Sequence, residues 1–336
     1  MARKWVLGIA VVLLLGAVGY FWFVLRDKKI PDAYSGPVDK ITVANIGQFS
    51  IFNLIAKDKG YFEKYGLDAT VNEYDAGGTA MAALLSGQAD FAIAADFVGV
   101  NTIFKNKELR ILAAVSDHDV FRLVARKDKG IAGPADLKGK TIGVTRKTAG
   151  EFYLGRFLTT NGLSLPDVTM IDLSPAEMVK RIESGEIDAV LTFEPHAYNI
   201  GEKMGNAVLT WSAQGDQRAL GLVYAANYFV ERHPDVVERY LRALLEAERQ
   251  VREHNDESRA FVARTLNFND AYMRYIWPKF IFTIDLDQDL LLTMEDQARW
   301  AIDNGLTDQT KVPNYLDYIY FAALERLKPA AVTVTH

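Results

Sequence analysis

Four short stretches of this 336-residue chain place the end of an apolar, β-rich run directly before residues that start helices. Gln48-Phe49-Ser50 follows the run 41–46, and Gly77-Gly78-Thr79 follows 67–74. Asp96 follows 91–95, and a loop from Thr145 to Glu151, with Thr148 at its centre, follows 141–144. A helix start offers backbone N–H groups that lack intrahelical acceptors, and paired glycines let an oxyanion approach them. The chemistry on offer is reversible capture of a small polar molecule. Ser50, Thr79 and Thr148 read equally well as plain helix caps, and the glycines (Gly77, Gly78) as a plain turn. Asp96, straight after an apolar strand, and Glu194, ahead of Pro195, would be desolvated carboxylates unless something pairs with them. Two carboxylates in one cleft suit an amine or a ring N–H, so an amine-bearing or zwitterionic ligand is favoured, with Phe49 or Tyr153 able to stack on a ring. His196 supplies another donor. Arg218 offers a planar fork to an anionic group, or forms a surface ion pair.

Other chemistries are excluded or unsupported. The chain has no cysteine, which removes disulfides, thiolate metal sites, cysteine nucleophiles and lipidation through cysteine. His118, His233, His254 and His336 show no ligand spacing, so no metal or cofactor is expected. Asp96, Glu194 and His196 lack the spacing of an acid–base set, and no catalytic residue is assigned. The net charge is −5; residues 1–30 hold five basic residues against Asp27, a net +4, leaving −9 for residues 31–336. An acidic body with scattered charges argues against a nucleic-acid partner.

The elements that must position these groups alternate regularly. Runs at 41–46, 67–74, 91–95 and 111–115 read as strands separated by helices, and a second unit repeats the pattern with strands at 141–144, 168–172 and 189–192. Such alternation predicts parallel sheets with helices on both faces. Thr148 with Glu151, and Ser174-Pro175 with Glu177, have the form of capping boxes. Beyond Pro234 the chain reads as helical, with Val237, Tyr240, Leu241, Leu244 and Leu245 on one stripe. Ser86-Gly87-Gln88-Ala89-Asp90 and Ser184-Gly185-Glu186-Ile187-Asp188 repeat one helix–turn–strand joint in the two units.

The N-terminus is of another kind. Residues 5–25 carry no charge and, at about 1.5 Å per residue, would cross a hydrocarbon core of roughly 30 Å. That length favours an uncleaved membrane anchor over a signal peptide cut after Ala17-Val18-Gly19, and residues 31–37 read as a linker.

The joints resemble those of periplasmic solute-binding proteins that serve ABC importers for nitrate, sulfonates and taurine, and of the related thiamine-pyrimidine-precursor binders. The matching residues are Gly60-Tyr61-Phe62 with Gly66-Leu67, the 86–93 segment, Asp136-Leu137-Lys138-Gly139-Lys140-Thr141-Ile142-Gly143-Val144, residues 183–190, and Phe193-Glu194-Pro195. The resemblance implies an α/β type II periplasmic-binding-protein fold, with two doubly wound lobes joined by a two-strand hinge, here behind an N-terminal membrane helix. Lobe 1 would comprise 38–120 and 226–336, and lobe 2 would comprise 121–225 with the hinge strands, near 120–126 and 220–225. It implies ligand contacts at the four strand ends and at Glu194, closure on a small molecule outside the cytoplasm, and an ABC permease and ATPase as partners. A membrane-anchored sensor with a separate signalling partner is the alternative. An enzyme on the same fold is a further one, but the synthase relatives use a cysteine-rich motif that is absent here.

Overall fold

The computed structural model of the chain describes residues 34–335. The expected membrane segment at residues 5–25 lies outside them, and no described helix is long and apolar enough to cross a membrane.

Residues 37–336 form one compact unit built on two sheets. The chain enters through β1 (Asp39–Asn45), α1 (Ile51–Asp58), the single turn α2 (Tyr61–Lys64), β2 (Leu67–Glu73), α3 (Gly77–Leu85), β3 (Phe91–Ala95), α4 (Asp96–Ile103) and β4 (Leu109–His118). It crosses to the second sheet for β5 (Phe121–Arg126), β6 (Thr141–Val144), α5 (Ala149–Thr160), β7 (Thr169–Asp172), α6 (Pro175–Ser184), β8 (Ala189–Phe193), α7 (His196–Met204) and β9 (Val208–Ser212). It then returns for β10 (Ala219–Ala226), α8 (Asn227–Arg232), α9 (Pro234–Glu253), α10 (Asn255–Thr265), α11 (Asp270–Ile276), β11 (Phe280–Ile281), α12 (Gln288–Asp303) and α13 (Phe321–Leu327). The first sheet has the order β11-β4-β10-β3-β1-β2 and the second β7-β6-β8-β5-β9. In each, three neighbouring strands run parallel (β3-β1-β2; β7-β6-β8), and the strands next to the crossings run antiparallel.

Sequence explains the local choices. Strands β3 and β8 are apolar throughout or nearly so because helices cover both faces. Helix α9 opens on Pro234 and buries Val237, Tyr240, Leu241 and Leu244, the stripe its periodicity predicts. The repeated joint is equivalent in the two lobes. Gly87 (φ 73°) and Gly185 (φ 79°) both take the left-handed conformation. Asp90 accepts from the Thr42 N–H at 2.8 Å and Asp188 from the Thr141 N–H at 2.9 Å, so each carboxylate ties its turn to the adjacent parallel strand. At Ser174 the expected capping box forms with Glu177. At Thr148 it does not: Thr148 Oγ1 accepts from the Gly150 N–H, while Glu151 reaches back to the Lys147 N–H. Lys147 has φ 59°, which turns its N–H toward Glu151.

The two sheets are joined at residues 119–120 and 213–218. One side chain holds these crossings together. Gln214 Oε1 accepts from the Val120 and Phe121 N–H groups (2.6 and 2.8 Å), and its Nε2 donates to the carbonyls of His118 and Gln217 (2.9 and 3.1 Å). The buried amide is fully satisfied.

Candidate functional site

A small cavity of about 60 Å³, open at its mouth, lies between the two sheets, at the ends of their strands. The first lobe contributes Ile46, Phe49, Gly77 and Val98; the second contributes Phe121, Thr145, Thr148, Met178, Thr192 and Phe193. Its position is the one expected for doubly wound sheets, beyond the carboxyl ends of parallel strands. Helices α3, α5 and α6 all begin at its wall, through Gly77, through Ala149 with Gly150, and through Pro175.

Those helix starts supply its polarity. At α3, the Thr79 and Ala80 N–H groups both turn to the Ala76 carbonyl, and no acceptor among the described residues meets those of Gly77 and Gly78. At α5, Gly150 and Glu151 bond back to Thr148, and the Ala149 N–H is likewise left over. Gly77 also sits where a side chain would crowd: an added Cβ would lie 3.2 Å from Ala94 Cβ and 3.3 Å from Val98 Cγ2. Among the described residues, no charged side chain lines the cavity. What remains is an apolar box with N–H donors from both lobes, suited to an anionic head on an apolar body.

The structure brings some sequence-derived candidates to this wall and uses others elsewhere. Phe49, Thr145 and Thr148 line it. The Thr145 and Thr148 hydroxyls donate to the carbonyls of Leu173 and Thr145. Gly77 lines it, whereas Gly78 does not, and Thr79 is turned away with its hydroxyl on the Ala76 carbonyl. Ser50 is buried and accepts from Asn53, with no side-chain cap on α1. Tyr153 is buried between Phe121 and Phe152. His196 lies edge-on to Phe193, and burial lowers its pKa. Arg218 donates to the carbonyls of Asp117 and Lys279, behind the cleft.

The two carboxylates that suggested an amine are both spoken for. Asp96 accepts from the N–H groups of Phe97 (2.7 Å) and Leu220 (3.0 Å), and so fastens β10 to the start of α4. Burial pushes its pKa up to about 6 against the pull of those bonds. Glu194 belongs to a bridge between the lobes. Its Oε1 accepts from Tyr275 Oη at 2.6 Å and its Oε2 from the Tyr198 N–H at 2.7 Å, with Arg122 Nε 3.7 Å away. Burial raises its pKa, and the Tyr275 hydroxyl is the foremost opposing influence. Gln48 joins the same bridge, donating to the Glu194 carbonyl at 2.6 Å while accepting from Tyr272 Oη. On another side of the lobe junction, Trp300 of α12 packs on Phe152, and Arg156 pairs with Asp296 at 3.0 Å.

Sequence reasoning missed Thr192, Met178, Tyr275 and Gln214. Thr192 carried a signal, being the one hydroxyl in the run Ala189–Phe193. Tyr275 and Gln214 carried none, because their roles depend on contacts 80 or more residues away in sequence.

Fold and site together define a two-lobed α/β protein of the periplasmic-binding-protein type, with a cavity between the lobes. The comparisons give this class a family: residues 49–258 match the family described as NMT1/THI5 like, and the chain belongs to it. Among relatives, a candidate binding protein of Brucella abortus is 31% identical over 199 residues, 58% of this chain. The chain spans 60% of that relative's own length. A candidate aliphatic sulfonates-binding protein of Bacillus subtilis is 31% identical over 216 residues, covering 61% of this chain and 63% of the relative. Among solved structures, the alkanesulfonate-binding protein SsuA from Xanthomonas axonopodis pv. citri, bound to MOPS, superposes with a TM-score of 0.73 at 17% identity, over 85% of this chain and 99% of that one. That likeness is one of fold.

Proposed function

We propose that the chain is an extracytoplasmic solute-binding protein that closes on a small organic anion with a short apolar body, of the alkanesulfonate kind, and hands it to an ABC permease and ATPase. The observation that carries this reading is the cavity wall: apolar side chains from both lobes, helix starts from both lobes, and no charged side chain. An anion there exchanges water for fixed N–H groups, which lowers the cost of its burial. The absence of a lining carboxylate moves the preferred ligand from an amine-bearing molecule to a plain alkyl anion. The aliphatic-sulfonate binding in the name of the Bacillus subtilis relative supports the same class. The moving bodies in this reading are the two sheets with their helices, turning about residues 119–120 and 213–218. Residues 5–25 would hold the body at the outer face of the cytoplasmic membrane.

Calorimetric titration of the full chain in mild detergent with 1-butanesulfonate, taurine, nitrate and an aminopyrimidine tests the reading. Butanesulfonate should bind most tightly, with taurine weaker because its ammonium meets no acidic side chain. Tight nitrate or aminopyrimidine binding with no sulfonate binding would refute it. Carbonate extraction of membranes should leave the chain in the pellet if residues 5–25 anchor it.

A further inference from the structure

Thr192 stands apart from the other hydroxyls of the cavity. It sits in β8 between Leu191 and Phe193, and all three line the wall. Its side chain is 1% exposed, and its Oγ1 has no hydrogen-bond partner among the described residues. Thr145 and Thr148, on the same wall, both have their hydroxyls occupied by carbonyls. A buried hydroxyl without a partner costs free energy that valine, of nearly the same shape, would avoid. Packing therefore gives no reason for threonine here.

The neighbourhood says what the missing partner is. Met178 and Pro175 of α6 line the same cavity, as do the starts of α3 and α5. Helix N-termini favour negative charge, so the group that completes the site is an acceptor. A threonine hydroxyl can then donate to it. We propose that Thr192 is a specificity-determining ligand contact, its hydroxyl donating to an anionic oxygen of the ligand and so selecting oxyanions over neutral molecules of equal size. This rests on the organic-anion reading above and adds the residue that enforces it.

The test compares wild type, Thr192→Val and Thr192→Ser as full chains in mild detergent, with 1-butanesulfonate as the probe. Affinity comes from calorimetry, and the thermal midpoint is taken without ligand. Loss of one hydrogen bond to a charged acceptor should weaken T192V by about 10- to 150-fold. Its ligand-free midpoint should equal or exceed that of wild type, because the unpartnered hydroxyl is gone. T192S, which keeps the hydroxyl, should keep most of the affinity. Equal binding by T192V and wild type overturns the assignment while the ligand class stands. An affinity loss in T192S as large as in T192V also overturns it, because side-chain fit would then be what matters. Wild type that binds no sulfonate overturns the proposal together with the reading it rests on.

Discussion

Replacing Tyr275 with phenylalanine removes one oxygen from the bridge between the lobes and leaves its packing in place. The ring keeps its contact with Tyr198 (centroids 5.3 Å apart) and stays under Lys279 Nζ, 4.6 Å from its centroid. What goes is the 2.6 Å hydrogen bond from the first lobe to the Glu194 carboxylate of the second, together with the long 3.4 Å bond that the same hydroxyl accepts from Arg122 Nε. Glu194 is then left with the Tyr198 N–H at 2.7 Å and the distant Arg122 Nε at 3.7 Å, both from its own lobe. A hydrogen bond to a charged acceptor is worth about 1.5–3 kcal/mol, so the equilibrium between closed and open forms should move toward open by about 10- to 150-fold. Water replaces the tyrosine only in the open form, so the loss falls on closure and not on the fold of either lobe. Because ligand affinity scales with the population of the closing form, calorimetry with 1-butanesulfonate should show a weakening of up to that factor. Small-angle scattering at saturating ligand should still reach the compact radius of wild type. A Tyr275→Phe protein that binds and closes like wild type would refute the idea that Glu194 serves the lobe junction.

Three further outcomes follow from the geometry. Gln214→Met removes four hydrogen bonds at the crossings, and at about 0.5–1.5 kcal/mol each it should lose about 2–6 kcal/mol in urea unfolding; a loss below 1 kcal/mol would contradict the role given to this amide. His118 is buried, and desolvation lowers its pKa to about 3, so the unfolded chain takes up its proton below about pH 6.5 while the folded chain does not. Wild type should therefore lose stability relative to His118→Leu by about 1.4 kcal/mol per pH unit between pH 6 and pH 4, measured by urea unfolding at each pH, and a constant difference would count against a neutral buried imidazole. Gly155→Ala would drive a Cβ into the Trp300 ring, and overpacking of that kind should cost about 1–3 kcal/mol, read from the denaturation midpoint.

The framework was legible because its signals are local. Gly87 and Gly185 had to be left-handed after helices, and Asp90 and Asp188 had to end those turns. Their common bond to a backbone N–H of the adjacent parallel strand is the three-dimensional form of a repeat visible in sequence. The site was legible by position more than by side chain. Strand ends and helix starts could be located, yet which group at each start faces inward depends on fractions of a turn, which separates Gly77 from Gly78 and Thr79. The carboxylates were ambiguous for a physical reason: desolvation demands a partner but does not say whether a ligand or the protein supplies it. For Asp96 the partner is a backbone N–H 124 residues away, and for Glu194 a tyrosine 81 residues away.

The amide of Gln214 has a mechanical consequence. Two separate strand crossings can bend and also twist against each other, giving the lobes several soft directions of relative motion. A side chain bonded to His118, Val120 and Phe121 on one crossing and to Gln217 on the other acts as a rung between two rails. The pair then flexes as a ribbon, stiff to shear and soft to bending across its plane. Lobe motion so confined resembles a door more than a ball joint. An arriving ligand has one coordinate to arrest, and less conformational freedom is surrendered when it does.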